Sequence, residues 1–226
     1  MMRVPYLPNP PSGLSETDQQ IAQRIATRRA DHGLLPLDLV LLHAPEIANG
    51  ERNDPKCLNI PLLSYLCRYL AANSRPPRPG WDVLFSAIRN KSSLPDHLRE
   101  LAIVRTAVLN KAWYEWGWHA PLLRETEAFK RNPNKMKTVA DPKPTKPGEL
   151  NEVEWAVLTF ADEMTTNINP SDDCFNKLRT VCHFSNQEIV ELTATVSSYN
   201  FASRFLVALD IGEKNSEVPD EIRRYH

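Results

Sequence analysis

The feature that most constrains this chain is the recurrence of apolar residues at helical spacing, usually behind a polar helix-start signal. Such signals occur at Ser15 with Asp18, Asn151 with Glu154, Ser171, and Ser185 with Glu188. The segment 95–109 has an amphipathic helical pattern, and Asn110 with Lys111 predicts a turn after it. Few stretches alternate apolar and polar residues as half-buried strands do. The sequence therefore predicts an all-α protein.

The length of 226 residues suits one domain with its own core, so we predict a single all-helical domain over 1–226. Three segments within it carry weaker helical patterns. They are a proline-rich N-terminal segment at 1–14, an exposed loop rich in lysine and proline at 131–149, and a frayed tail at 213–226.

Charge and composition narrow the classes of partner. The chain has 27 basic and 28 acidic residues, which gives no bulk reason to expect nucleic acid or an anionic membrane surface. No apolar run approaches the roughly 18 residues of a membrane span, and prolines interrupt the N-terminus. We expect a cytoplasmic protein that binds a small molecule. Its cysteines, Cys57, Cys67, Cys174 and Cys182, have no CxxC spacing and are predicted to be buried free thiols.

The stretch "AWYEWGWHAPLLRE", residues 112–125, carries the strongest candidate for a site. Glu115 and His119 are four residues apart, so they share a helix face. If the chain reverses at Asn110, Glu100 of the preceding helix reaches the height of His119. Glu100 lies in the apolar run "LRELAIV", where a carboxylate needs a partner. Paired with Glu100, His119 would be oriented as a general acid-base.

Aromatic residues surround this pair in the sequence and predict apolar walls that exclude water. They are Trp113, Tyr114, Trp116 and Trp118. Pro121 predicts a bend that frees the carbonyl of Gly117 and opens a cavity beside the histidine. Two plainer interpretations remain open: Glu–His pairs are common on solvated helix faces, and aromatic clusters usually form core. A metal site is disfavoured because no HExxH motif is present, and the stretch has no serine or cysteine nucleophile.

The run "LPDHLRELAIVRTAVLNKAWYEWGWHAPLLRE" resembles the core of the carboxymuconolactone decarboxylase family, which shares a superfamily with alkyl hydroperoxidase D. The segments "ELNEVEWAVLTFADEMT" and "SNQEIVELTATVSSYNFASRFLVALDIG" resemble its later helices. The resemblance implies an alkyl hydroperoxidase D-like helical bundle whose subunits form trimers or hexamers, with the active site near the subunit boundary. Relative to compact members, 51–80 is identified as an insertion.

The resemblance also implies a reaction. In the peroxidase branch a CxxC pair precedes the histidine, but Ala112 and Glu115 stand at those positions here, so thiol peroxidase activity is disfavoured. Glu100 and His119 match the family's glutamate and histidine. The decarboxylase branch uses no metal or organic cofactor. By this resemblance the protein acts on a small carboxylated lactone or β-keto-type acid, with His119 as general acid-base and both glutamates setting its orientation and protonation.

Further substrate-binding residues follow from the same comparison. Asn200 and Arg204 match family positions and share a helix face with Tyr199 beside them; a hydrogen-bonded network between helices is the alternative. Arg105 is a weaker candidate for binding a carboxylate. Tyr114 and Trp116 are predicted to form walls of the pocket. Trp118 stands where the decarboxylases often have a second histidine, and an indole there favours a larger or less polar substrate.

Two other functions compete with decarboxylation. One is non-decarboxylating proton transfer, by an isomerase or cyclase of specialised metabolism, which would release no carbon dioxide. The other is a non-catalytic, oligomeric binding protein that keeps the helical scaffold. Loss of function on replacing His119 would separate both catalytic hypotheses from the binding protein.

Overall fold

The structure, a computed structural model, describes residues 5–29, 33–43 and 80–225. Its regular secondary structure in these residues is helical, which confirms the predicted all-α class. The helices are α1 Glu16–Arg29, α2 Pro36–Leu41, α3 Gly80–Asn90, α4 Asp96–Leu109, α5 Trp113–Glu125, α6 Glu127–Arg131, α7 Lys135–Ala140, α8 Glu152–Asn167, α9 Asp172–Thr180, α10 Asn186–Leu209 and α11 Asp220–Arg223, with a 3-10 turn at Ile211–Glu213.

The chain divides into two compact units where the sequence predicts one domain. The unit spanning 4–91 contains α1, α2 and α3, and the other, built mainly from 92–226, contains α4 to α11. Sequence patterns show which face of a helix is apolar but not which helices pack together, so this division was not predictable. Most of 51–80, identified as an insertion, lies outside the described residues, as do Cys57 and Cys67.

In the first unit, α1 begins where its cap predicts. The Ser15 hydroxyl accepts a hydrogen bond from the Asp18 N–H at 3.2 Å and donates one to the Asp18 carboxylate at 2.7 Å. Ile21, Ala22 and Ile25 recur at helical spacing along α1, and all three are buried.

Helix α4 lies at the centre of the second unit, packed against α5, α8 and α10. The predicted amphipathic pattern is wrong in one respect: every residue from Leu98 to Val108 is buried, on all faces of the helix. Neighbouring helices therefore cover even its polar residues, and each of those must find a partner inside the protein.

A tight turn joins α4 to α5, as Asn110 and Lys111 predict. Lys111 adopts a left-handed conformation with φ of 56°. The N–H of Ala112 donates to the carbonyl oxygen of Ala107 at 2.8 Å, which closes the turn. The two helices thus form a hairpin that brings Glu100 opposite His119.

The later helices also start at their predicted caps. Asn151 and Glu154 form a reciprocal capping box at α8, as do Ser185 and Glu188 at α10. Helix α10 ends at Leu209, and the following Asp210 adopts the left-handed conformation. The helix therefore ends just before the 3-10 turn that contains Gly212.

Two segments predicted as exposed or frayed contribute to the core instead. Helix α7 lies inside 131–149 and buries Met136, Val139 and Ala140. Helix α11 lies inside 213–226, and its Ile222 is fully buried. Each of these short helices packs against the core with only a few apolar residues, because only one side of the helix is buried.

None of the helices in the described ranges is both long and apolar enough to cross a membrane.

Candidate functional site

The centre of the candidate site is a buried pair formed by Glu100 on α4 and His119 on α5. The Oε2 atom of Glu100 lies 2.8 Å from Nδ1 of His119, and the two residues are only 5% and 7% exposed. The predicted meeting across the hairpin is therefore confirmed. With a proton on Nδ1, the ring donates to the carboxylate and presents Nε2 as a base.

The guanidinium of Arg99 lies near the other oxygen of the Glu100 carboxylate. Nε of Arg99 lies 3.8 Å from Oε1 of Glu100, and Nη2 of Arg99 lies 2.8 Å from Asp96. Arg99 was not predicted from the sequence as part of the site, although an arginine directly precedes the glutamate. Glu100 therefore faces an imidazole at one oxygen and a guanidinium at the other.

Tyr199 of α10 completes the support of the histidine ring. The two rings meet edge to face, with centroids 4.9 Å apart and planes at 85°. Glu100 and Tyr199 together fix the orientation of the imidazole. Among the described residues, none hydrogen-bonds to Nε2 of His119. This nitrogen is the atom positioned to exchange a proton with a bound molecule.

Glu115 lies one helical turn before His119 and has an unusual environment. It is 3% exposed, and neither carboxyl oxygen has a hydrogen-bond partner within the described residues. Burial raises its pKa well above the usual value for glutamate. Glu115 was predicted to set the orientation of His119, but no hydrogen bond joins them. Its environment favours a neutral carboxylic acid that can donate one hydrogen bond.

The aromatic residues do not form the continuous pocket wall that was predicted. Trp116 is buried in the hydrophobic core with Trp113, so its assignment to substrate binding is not supported. Trp118 is 48% exposed. The Tyr114 ring lies 6.4 Å from that of Trp118 and packs against the backbone of Gly212. Of the four aromatic residues of α5, only Tyr114 and Trp118 are not buried.

Asn200 lies in a network that joins α4, α8 and α10. Its amide donates to Thr165 Oγ1 and to the Val196 carbonyl, both at 3.0 Å. Its Oδ1 accepts from Asn110 at 3.0 Å and from Arg204 at 2.6 Å. The donors and acceptor of the Asn200 amide are thus occupied, which favours the structural alternative over ligand contact.

Arg105 also has a structural role rather than the predicted substrate contact. It is 0% exposed, and its guanidinium forms two parallel hydrogen bonds with Asp162 of α8 at 2.7 and 2.6 Å. Nη1 donates to the carbonyl oxygens of Val139 and Asp141. The guanidinium therefore ties α4 to α8 and to the end of α7.

Pro121 lies inside α5, which continues to Glu125. A cavity of about 460 Å³ lies beyond the C-terminal end of this helix, lined by residues of α5, α6, α7 and α11 and by Pro133. Neither His119 nor either glutamate of the site lines it. Within the described residues, no group of three His, Cys, Asp or Glu side chains is arranged to hold a metal ion.

Compared with known proteins, the chain matches no family model, and it has no match among curated proteins.

Proposed function

We propose that the protein is a cofactor-independent decarboxylase of the carboxymuconolactone decarboxylase type, acting on a small carboxylated lactone or β-keto-type acid. The observation that carries this proposal is the buried hydrogen bond between Glu100 and His119, which leaves Nε2 available. A carboxylate that accepts the Nδ1–H fixes the tautomer and the orientation of the ring and leaves Nε2 for proton exchange. His119 can then hold a proton next to a reacting carbon.

The reaction needs one proton and an electron sink in the substrate. The carbon–carbon bond to the carboxylate breaks, carbon dioxide leaves, and the electron pair passes to the conjugated carbonyl oxygen as an enolate. The carbon then takes a proton from Nε2 of His119, and the ring recovers a proton from solvent. Tyr199 keeps the ring edge-on while Glu100 stabilises its charge.

Glu115 has a role that its protonation state supports. A neutral carboxylic acid without a partner can donate to the carbonyl oxygen on which enolate charge develops. Because the group is buried and already protonated, it needs no reorganisation at that moment. The ketone oxygen of a β-keto acid and the ester carbonyl oxygen of a lactone are both hydrogen-bond acceptors of the right kind.

The same two groups support a second candidate, an isomerase or cyclase that moves a proton without losing carbon dioxide. An imidazole oriented by Glu100 and a carboxyl group whose pKa is raised by burial lie on one face of α5. Such a pair can remove a proton at one carbon while donating to the adjacent carbonyl. This function shares every residue of the first and differs in the bond that breaks.

The deciding experiment measures carbon dioxide release from a panel of carboxylated lactones and β-keto acids, with and without chelator. We expect release that survives chelation and that falls about 10²–10⁴-fold in His119→Gln. The matched control is His97→Gln, which removes a half-buried histidine at the start of α4 and should leave the rate unchanged.

Absence of release from every acid in the panel would reject the decarboxylase. Hydrogen–deuterium exchange at the carbon next to the carbonyl, lost in His119→Gln, would then support the isomerase. Binding of the same acids with no chemistry would favour the non-catalytic binding protein.

The resemblance extends the proposal to assembly and location. We propose a cytoplasmic homo-oligomer, a trimer or hexamer, with the site near a subunit boundary. The half-exposed Trp118 and the exposed Leu122, four residues apart on α5, are compatible with such a boundary. Sedimentation equilibrium gives the mass directly, and a monomer at micromolar concentration would reject this part.

A further inference from the structure

The cavity lined by residues of α5, α6 and α7, by Pro133 and by the α11 region up to Arg224 is called here the α6–α11 cleft. We propose that it binds a small organic anion with an apolar body, such as a medium-chain carboxylate. Its volume of about 460 Å³ is within the range of small-molecule sites. None of its lining residues belongs to the His119 site, so the proposal is independent of the proposed reaction.

The floor of the cleft is apolar. Phe129 of α6 and Met136 of α7 line it while belonging to the hydrophobic core, and Pro133 lies between them. Phe129 and Met136 are only 1% and 8% exposed, so the apolar surface that a ligand can cover also includes Pro133 and the aliphatic stems of the lining lysines and arginines. A ligand with a hydrocarbon or aromatic body would cover that surface, which is favourable in proportion to the area covered.

The rim of the cleft is cationic. Arg124, Lys130, Lys137 and Arg224 contribute positive charge, and Glu221 is its one acidic side chain. Glu221 is already paired with Arg124 by an ion pair. Lys130 is paired with Glu125, which is not among the lining residues, at 2.9 Å.

Two of the rim cations have no such neutralising partner. Neither Lys137 nor Arg224 forms an ion pair with any residue in the described ranges. The backbone of Lys137 is held by the Tyr225 hydroxyl, which donates to its carbonyl oxygen at 2.8 Å, and the guanidinium of Arg224 is oriented by its Nε, which donates to the Glu221 carbonyl at 2.9 Å. Two cations on facing elements above an apolar floor match an anionic head with an apolar tail.

The test is calorimetric titration of the full chain with three probes: octanoate below its micelle concentration, 1-octanol and inorganic phosphate. Octanol tests the apolar floor without the head group, and phosphate tests the charge without the tail. We expect saturable 1:1 binding of octanoate, with both other probes at least about tenfold weaker and with octanoate affinity falling as salt is raised.

The double variant Lys137→Gln/Arg224→Gln should weaken octanoate binding about tenfold, because two charge-assisted contacts are lost. The matched control Lys143→Gln/Arg179→Gln removes the same charge from exposed positions that do not line the cleft, and should bind as the wild type does. Circular dichroism and the unfolding midpoint confirm that both variants fold.

Several results would overturn the proposal. They are no saturable binding of octanoate, equal binding of octanol, equal binding of phosphate, or equal weakening in both double variants. Because the readout is binding and not turnover, its failure is distinguishable from failure of the proposed reaction.

Discussion

Replacing Glu115 by glutamine should stabilise the protein, although it removes a group of the candidate site. Glu115 is 3% exposed, and its oxygens find no hydrogen-bond partner in the described part of the chain. In the unfolded chain a glutamate ionises near pH 4.3. Burial raises the pKa of Glu115 in the folded protein well above that value, so the folded state holds a proton that the unfolded state releases.

The sign and size of the effect follow from proton linkage. Below the unfolded pKa both states are protonated, so proton linkage at Glu115 does not change the free energy of unfolding. As pH rises toward the folded pKa, the unfolded state gains by ionising, and the wild type loses about 1.4 kcal/mol of folding free energy per pH unit. Glutamine does not ionise, so the advantage of Glu115→Gln should grow with that slope and level off above the folded pKa.

The assay is urea unfolding of wild type and Glu115→Gln at half-unit steps from pH 4 to pH 8. The control is Glu127→Gln, because Glu127 is exposed and forms only a wide ion pair of 3.7 Å with Arg131. Its effect should be small and nearly the same at every pH above 5. A constant difference between wild type and Glu115→Gln across this range, or a less stable variant at pH 7, would refute the argument.

Three further predictions concern stability and thiol chemistry. Arg105→Ala should lower the free energy of unfolding by about 3 kcal/mol, because it leaves two carbonyls and a partly buried carboxylate unpaired; a urea midpoint near that of wild type would contradict it. Gly212→Ala should cost at least about 1 kcal/mol, since φ is +72° and the new Cβ would lie 2.8 Å from the Tyr114 ring; an unchanged melting temperature would show that this turn can relax. Burial raises the pKa of Cys174 and of Cys182 to about 11. Alkylation of both thiols at pH 8, followed by peptide mass spectrometry, should therefore be far slower than alkylation of an exposed thiol. Alkylation at the rate of an exposed thiol would contradict this prediction.

Much of the local structure was predictable because its signals are local. Ser15, Asn151 and Ser185 each accept a hydrogen bond from a backbone N–H three residues further along the chain. These caps can therefore be predicted from a few neighbouring residues. The pairing of Glu100 with His119 was predictable for a related reason. A short turn at Asn110 relates positions on the two helices by counting alone.

The fate of the aromatic residues depended on helices that the stretch itself does not contain. Trp116 and Trp118 are the same residue type, two positions apart on α5. One lies in the core and the other is half-exposed, because neighbouring helices cover only one side of α5. The sequence predicts a helix rich in aromatic residues, but no local pattern shows which face of that helix the other helices cover.

By itself, the sequence determined the helical class, the caps, the α4–α5 turn and the Glu100–His119 pair, all of which depend on interactions close along the chain or across one turn. The tertiary structure alone decided that Arg105 and Asn200 hold helices together and that Glu115 has no hydrogen-bond partner among the described residues. Those outcomes depend on groups such as Asp162 and Thr165, more than 30 residues away. Contacts at that separation are set by how helices pack, which no local pattern encodes.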